Sequence, residues 1–228
     1  MFPATRRIAC VLWLAAAGGS VFGQSLYVGV RGGLRTTGDF QGDATSESRA
    51  YVAGPAVAVA LPHGFGLEFD ALYRRQGFQS AWSTPVYSAS TRDRDNVWEF
   101  PLLARYRVPL RGIKAYAEVG WAPRIMRGAE QTTGRYLSNI DPTTYATYNL
   151  QSPTSWPSSF GVVAGGGVEI GFGHLRLSPE VRYTHWNRQA IGGFYSDGPS
   201  YGDTRDQVDV LVGVSWGIAG KRRAGTAP

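Results

Sequence analysis

The chain has 228 residues, of which 30 are Gly, 13 are Pro and 13% are aromatic. That length suits one all-β domain, and a slightly negative mean hydropathy with many turn residues excludes a bundle of apolar membrane helices. The formal charge of +6 comes from arginines dispersed along the chain, so no basic patch points to nucleic acid.

The first 23 residues read as a cleavable export signal. Arg6 and Arg7 form its basic start, Ile8 to Ala17 its apolar stretch, and Val21-Phe22-Gly23 a small-residue site for cleavage before Gln24. The apolar stretch falls short of the ~20 residues that a spanning helix needs, and no stop-transfer pattern follows it. Ile8-Ala9-Cys10 lacks the Phe-Leu-Lys continuation of a twin-arginine signal, which favours the general secretory route. Cys10 is the sole cysteine, so the mature chain has no thiol, disulfide or cysteine metal site, and Cys10 precedes the cut, against lipoprotein processing. Residues 24–220 are expected to form the domain, and 221–228 a basic tail carrying Lys221, Arg222 and Arg223 that could touch anionic lipid head groups.

Eight period-two segments follow the signal. In the first, Val28, Val30, Gly32 and Leu34 oppose Tyr27, Gly29, Arg31 and Arg35. Tyr51 to Leu61 sets Val57 and Val59 against Ala56 and Ala58, and the third sets Phe65, Leu67, Phe69 and Tyr73 against Glu68, Asp70 and Arg74. The fourth opposes Trp98, Leu102 and Tyr106 to Glu99, Arg105 and Arg107, and the fifth opposes Val119 and Trp121 to Glu118 and Arg124. The sixth carries Phe160, Val162 and Phe172 against Glu169, and the seventh Val181 and Tyr183 against Arg176, Glu180 and Arg182. The eighth, Val208 to Ile218, carries Val210, Val212, Val214 and Trp216 against Asp209. Pro55, Pro101, Pro123 and Pro179 fall inside these segments, where each removes a ladder donor and could mark a bulge.

Connections alternate in length. Those around Pro62-His63-Gly64, Pro109 to Gly112 and Gly171 to His174 are tight turns, whereas Thr36 to Arg49, Gly77 to Asn96, Met126 to Ser159 and Asn187 to Asp206 read as long polar loops. Short turns alternating with long loops form the outer-membrane barrel pattern, with turns in the periplasm and loops outside the cell. A soluble sandwich or lipocalin-like carrier is the competing architecture. The two differ in which strand face carries charge. Arg31, Glu68, Asp70, Arg74, Glu99, Arg105, Arg107, Glu118, Arg124, Glu169, Arg176, Glu180, Arg182 and Asp209 share one face with many small residues and nearly balance, as in a narrow lumen filled with ion pairs. Phe65, Tyr73, Trp98, Tyr106, Trp121, Phe160, Phe172, Tyr183 and Trp216 end the other face and match interfacial aromatic girdles. The fold expected is therefore all-β: an eight-stranded antiparallel up-and-down transmembrane β-barrel.

Four phrases carry a family resemblance: Trp98-Glu99-Phe100-Pro101-Leu102-Leu103, Ala115-Tyr116-Ala117-Glu118-Val119-Gly120, Ala164-Gly165-Gly166-Gly167-Val168-Glu169 and Leu177-Ser178-Pro179-Glu180-Val181-Arg182-Tyr183. They are similar to strand phrases of the bacterial outer-membrane β-barrel domain family that includes OmpA/OmpX-like and PorT-like barrels. The resemblance spans nearly all of the mature chain and implies a fold, a bacterial outer-membrane location and insertion by the barrel-insertion machinery. It carries over no catalytic residue. Gly213, Trp216 and Ile218 have the spacing of a terminal insertion signal, but Leu211 stands where that signal prefers a polar residue, and the chain continues to Pro228.

Chemistry is sparse. His63, His174 and His185 lack metal-ligand spacing. His185 could serve as the base of a lipid acylhydrolase or acyltransferase, but Ser178, the nearest serine, lies far along the strand. Gly165-Gly166-Gly167 is followed by neither a helix nor Gly-Lys-Ser/Thr, so it reads as close packing and not as a phosphate cradle. Tyr136, Tyr145, Tyr148, Trp156, Phe194, Tyr195 and Tyr201 in the long loops suit a surface partner, a glycan or lipopolysaccharide. The expectation is a non-catalytic, cofactor-free structural or interaction barrel contacting outer-membrane lipid. Its rivals are a lipid-modifying enzyme, a small pore and a soluble periplasmic carrier.

Overall fold

The computed structural model describes residues 25–110, 112–137, 144–193 and 201–218. The expected signal peptide, the basic tail, Phe194 and Tyr195 lie outside them.

Eight antiparallel strands close into a barrel. They are β1 (Ser25–Arg35), β2 (Tyr51–Ala60), β3 (Phe65–Asp70 continuing as Leu72–Ser83), β4 (Tyr87–Glu99 continuing as Leu102–Pro109), β5 (Lys114–Leu137), β6 (Tyr145–Phe172), β7 (Leu175–Trp186) and β8 (Asp206–Ile218). Each pairs with its neighbour in sequence, and β8 closes on β1. One circuit of the ladder fixes the geometry. Ser25 pairs with Ala60, then Gly66, Arg105, Glu118, Gly165, Arg182 and Asp209, and returns to β1 at Arg35, ten residues beyond its start. Eight strands with that stagger tilt by about 35–45° and leave an interior wide enough only for side chains.

Alternation decides which side chains enter that interior. At the tight turns, Gly64, Gly112 and Gly173 take left-handed φ values of 85°, 80° and 65°, which glycine adopts without strain. From there every strand keeps its period. Pro55 and Pro179 sit within strands, and Pro101 and Pro123 beside or within them, yet pairing on either side of all four keeps one register. The shift occurs instead on β6 between Trp156 and Ser159, around Pro157, in a stretch expected to be loop. Missing one ladder donor does not require an extra residue, so the four prolines leave the faces unchanged.

Two of the four expected loops are strand. Gly77 to Asn96 and Met126 to Ser159 continue β3 to β6 as a four-stranded sheet that rises past the barrel on one side. Thr84–Val86 forms one tip of it, where the Leu137 N–H donates to the Val86 carbonyl. From Trp98 to Tyr87 the sheet extends about 35 Å along the strand. These segments read as loops in the sequence because both of their faces are largely polar, leaving little apolar alternation to mark a strand. The connection after β1 and the described residues of the one before β8 fold over the inner face of this extension. There Phe40–Gly42 pairs with Tyr201–Asp203, and the latter with Gly192–Gly193.

The outward face between the tight turns and the extension is apolar. Phe65, Tyr106, Phe172 and Trp216 lie beside the turns, and Tyr73, Trp98, Trp121, Phe160 and Tyr183 form a second belt further along the strands. The belts are about 20 Å apart in height for tilted strands, close to the ~25 Å apolar band of a membrane barrel. Among the described residues no charged side chain points outward between them. Charge inside and hydrocarbon outside is the reverse of a soluble carrier, and the protein is a transmembrane β-barrel.

Candidate functional site: a filled lumen and a capped mouth

All fourteen residues expected on the charged face point into the barrel, and all are buried except Arg176, which is partly so. They fall into three tiers. Near the turns, Glu169 receives Arg107 and Arg176, each at 3.1 Å, and the Arg176 guanidinium lies 3.2 Å from the ring centre of Tyr27. The middle tier is the densest. Arg31 pairs with Glu68, with Asp70 at 3.1 Å and with Glu180 at 3.2 Å. Arg105 reaches Glu118 at 2.6 Å and Glu68 at 2.8 Å, and Arg182 reaches Glu180 at 2.8 Å and Asp70 at 2.9 Å. The Tyr116 hydroxyl donates to Glu180 at 2.7 Å, and Arg105 lies over the Tyr116 ring.

Carboxylate oxygens of Glu68, Glu118 and Glu180 converge within 4.8 Å, a grouping that could in principle hold a metal. Here the guanidinium groups of Arg31, Arg105 and Arg182 already neutralise it. The Gly165-Gly166-Gly167 run makes room for this tier. A Cβ on Gly165 would lie 2.9 Å from Glu118 Oε1, and one on Gly167 would lie 2.8 Å from the Tyr116 hydroxyl. Glycine is therefore needed at the two inward positions by close approach, as the packing reading expects.

Above the middle tier the lumen turns apolar, with Val52, Leu72 and Leu211 on one side and Leu103, Ala122, Val163 and Trp186 on the other. The third charged tier follows. Arg35 joins Asp209 at 2.9 Å and Glu99 at 3.2 Å, and Arg74 joins Asp39 at 2.8 Å and Glu99 at 3.3 Å. Arg124 joins Asp203 at 2.8 Å and lies over the Trp186 ring. Asp39 and Asp203 come from the connections that cover the mouth and have no strand alternation to announce them, so sequence reasoning misses both. A cap of Phe78, Val97, Met126, Ala190 and Ile191 closes the top, with Phe40, Ala44, Trp156 and Tyr201 against it. Phe78 lies 4.7 Å from the Tyr201 ring and 5.1 Å from that of Phe40. Tyr201, expected on the outer surface, is thus part of the cap.

A void of about 20 Å³, lined by Tyr27, Arg31, Glu68, Arg107, Glu169 and Arg176 among others, has room for only one or two water molecules. Outside the barrel, His185 Nδ1 lies 2.6 Å from Asp206 Oδ1, which also accepts from the Tyr183 hydroxyl at 2.5 Å. The other ring nitrogen faces Arg205 Nη2 at 3.3 Å. A base with an orienting carboxylate is present, but Ser178 is inward and away from it, and no hydroxyl nucleophile is bonded to the imidazole among the described residues. His63 occupies a tight turn with a left-handed φ of 59°, and His174 stacks 5.8 Å from Trp216.

At the tip of the extension, Trp82, Ala89, Gly134, Arg135 and Thr147 help to line an open groove of about 440 Å³. Its surroundings are aromatic and braced. The Tyr87 and Tyr148 hydroxyls are 2.5 Å apart, the Tyr145 hydroxyl donates to the Pro85 carbonyl at 3.0 Å, and Arg135 lies over the Tyr145 ring.

No protein-family model matches the chain, and no curated protein does. Solved structures share its architecture at low identity. Neisserial surface protein A is 12% identical, with a TM-score of 0.41, covering 85% of this chain and 98% of its own. A major outer membrane protein of Thermus thermophilus is 10% identical, with a TM-score of 0.48, covering 86% and 99%. The attachment invasion locus protein Ail of Yersinia pestis is 9% identical, with a TM-score of 0.34, covering 86% and 97%. These are likenesses of fold alone.

Proposed function

We propose that the protein is a non-catalytic barrel of the bacterial outer membrane, resembling OmpA/OmpX-like barrels, that presents its strand extension at the cell surface as an interaction element. The observation that carries this reading is the extension itself: a sheet raised above the apolar belt, its tip carrying Trp82 in an open groove and hydrogen-bonded tyrosines beside it. Aromatic rings on a rigid support suit glycan or protein contact at low entropic cost. In this reading the tight turns face the periplasm, outer-membrane lipid surrounds the belts, and the barrel-insertion machinery places the chain. The filled, capped lumen opposes steady conduction.

A folded barrel in the detergent fraction should change gel mobility on boiling. An epitope inserted between Thr84 and Tyr87 should be labelled on intact cells, and one at the Leu110 turn only after the envelope is opened. Binding of such cells to immobilised glycans or host-surface proteins should fall with Trp82→Ser and Tyr145→Ser while heat-modifiability persists. Soluble recovery, reversed labelling or large ohmic channels in planar bilayers would defeat the reading. The His185–Asp206 pair supports a second one, a lipid-modifying enzyme. It requires acyl-chain turnover by purified protein that His185→Ala abolishes.

A further inference from the structure

The strands of the extension sort their charges by sign. Asp93, Asp95 and Glu130 alternate to the inner face, whereas Arg75 of β3, Arg92 and Arg94 of β4, and Arg127 and Arg135 of β5 alternate to the outer face and are exposed. Among the described residues the carboxylate that answers these arginines is Glu47, from the connection after β1, which holds Arg92 at 2.6 Å and lies 3.9 Å from Arg94. The guanidinium groups of Arg75 and Arg127 have neither an ion pair nor a hydrogen bond among the described residues.

The ladder gathers three of these arginines. Arg75 lies opposite Asn96, and Asn96 opposite Arg127, so the two arginines flank one amide across three strands. Arg94, two residues from Asn96 on the same face, is diagonal to both, a separation of about 7–8 Å. Its own partners in register are Gly77 and Ala129, too small to fill the space between the three side chains. Asn96 is held from below: the Tyr73 hydroxyl donates to its Oδ1 at 2.7 Å, which leaves the amide nitrogen unbonded among the described residues. The polar groups left open in this cluster are therefore all donors, and like charges so placed repel unless an anion lies between them.

The position of the cluster says where that anion comes from. The row below it is Tyr73, Trp98 and Ile125, in register with one another at the upper edge of the apolar band. Two residues separate the rows, about 7 Å along the strand. Arginine stems cover that distance along the apolar edge and set their guanidinium groups at the height of lipid head groups. We propose that Arg75, Arg94 and Arg127, with the Asn96 amide, bind a phosphate of a lipid head group in the leaflet from which the extension emerges. Guanidinium forks match phosphate oxygens with paired N–H donors, and Trp98, 41% exposed just beneath, meets the acyl chains of the same lipid. The choice of leaflet rests on the cell-surface reading above, which makes it the outer one and the head group the phosphorylated diglucosamine of lipopolysaccharide.

The test titrates the full barrel, refolded in neutral detergent, with lipid A carrying both of its phosphates, and counts retained lipid by native mass spectrometry. Saturable binding is expected for the phosphorylated lipid and not for the same lipid stripped of phosphate. Arg75→Gln and Arg127→Gln should each weaken binding about fivefold, and together about twenty-five-fold. Arg92→Gln, which removes the same charge higher on the outer face, should leave it within about twofold. The heat-modifiable gel shift verifies folding of each variant. Absence of saturable binding, equal binding of the stripped lipid, or wild-type affinity in the double variant overturns the proposal. Displacement of the lipid by an equal concentration of inorganic phosphate would make the cluster a site for a free anion, and displacement by a sulfated glycan at lower concentration would make it a glycan site; either result also overturns it. Orientation in the cell is read separately by the epitope labelling described above, and lipid binding by the purified barrel does not depend on it, so the two readings fail independently.

Discussion

The lumen and the inner face of the extension are continuous in strand and in alternation, yet they treat buried charge in opposite ways. In the lumen each tier sets arginines against carboxylates, with several contacts per guanidinium. On the extension the inward carboxylates stand without arginine, and the arginines of those strands point outward. A closed barrel has nowhere for an inward charge to go, so inward cations and anions must occur together. An open sheet beyond the membrane has solvent on one side and a thin cap on the other, and its inner face can stay uncompensated if a proton enters.

The sharpest break of this comparison is Arg182→Ala in the middle tier. It leaves Asp70, Glu118 and Glu180 short of a shared partner. Stability should fall by about 3–5 kcal/mol, the usual cost of stranding buried charge. Urea titration followed by the gel shift measures it, and a loss under about 1 kcal/mol would show that the tier is solvated. Next, Phe78→Ala removes the ring at the centre of the cap. A loss of about 3 kcal/mol is expected for such a truncation, expressed as faster proteolysis of the extension with the barrel intact. Uniform unfolding of both regions would instead show that they are one cooperative unit.

A pH series separates the two regions further. Burial first, and then the neighbouring Asp95, push the Asp93 carboxyl up to about 7. The folded state therefore holds a proton that the unfolded chain, with an ordinary aspartate value, releases near about pH 4. The extension should be firmest below about pH 4 and loosen as pH rises through about 7. Amide exchange over that range should show the slope in the wild type and not in Asp93→Asn, and an equal slope in both would remove Asp93 as its cause. The smallest effect belongs to the outer face. Arg92→Ala breaks an exposed pair with Glu47, donated at 2.6 Å through two nitrogens, and should leave urea stability and the gel shift close to those of the wild type.

What was legible in the sequence follows from the environment of each segment. Between the aromatic belts one face meets hydrocarbon and the other a packed lumen, so residue type switches at every step. Val28 against Arg31, or Trp98 against Glu99, can be assigned without coordinates. In the extension both faces are largely polar, and strands such as Tyr87–Glu99 and the outer half of Tyr145–Phe172 read as loop. The His185–Asp206 contact spans 21 residues and joins the ends of adjacent strands, a juxtaposition no spacing rule could give.

By itself, the sequence determined eight strands, their inside and outside, and the charged residues that the strands send into the lumen. Period-two alternation between two sharply different solvents is a local signal that survives without any partner. Only the tertiary structure decided which arginine meets which carboxylate, that Asp39 and Asp203 reach down to complete the upper tier, and that a cap closes the mouth. Those contacts depend on the ten-residue stagger around the barrel and on connections folding back over it. Both are properties of closure, and closure couples residues far apart in the chain.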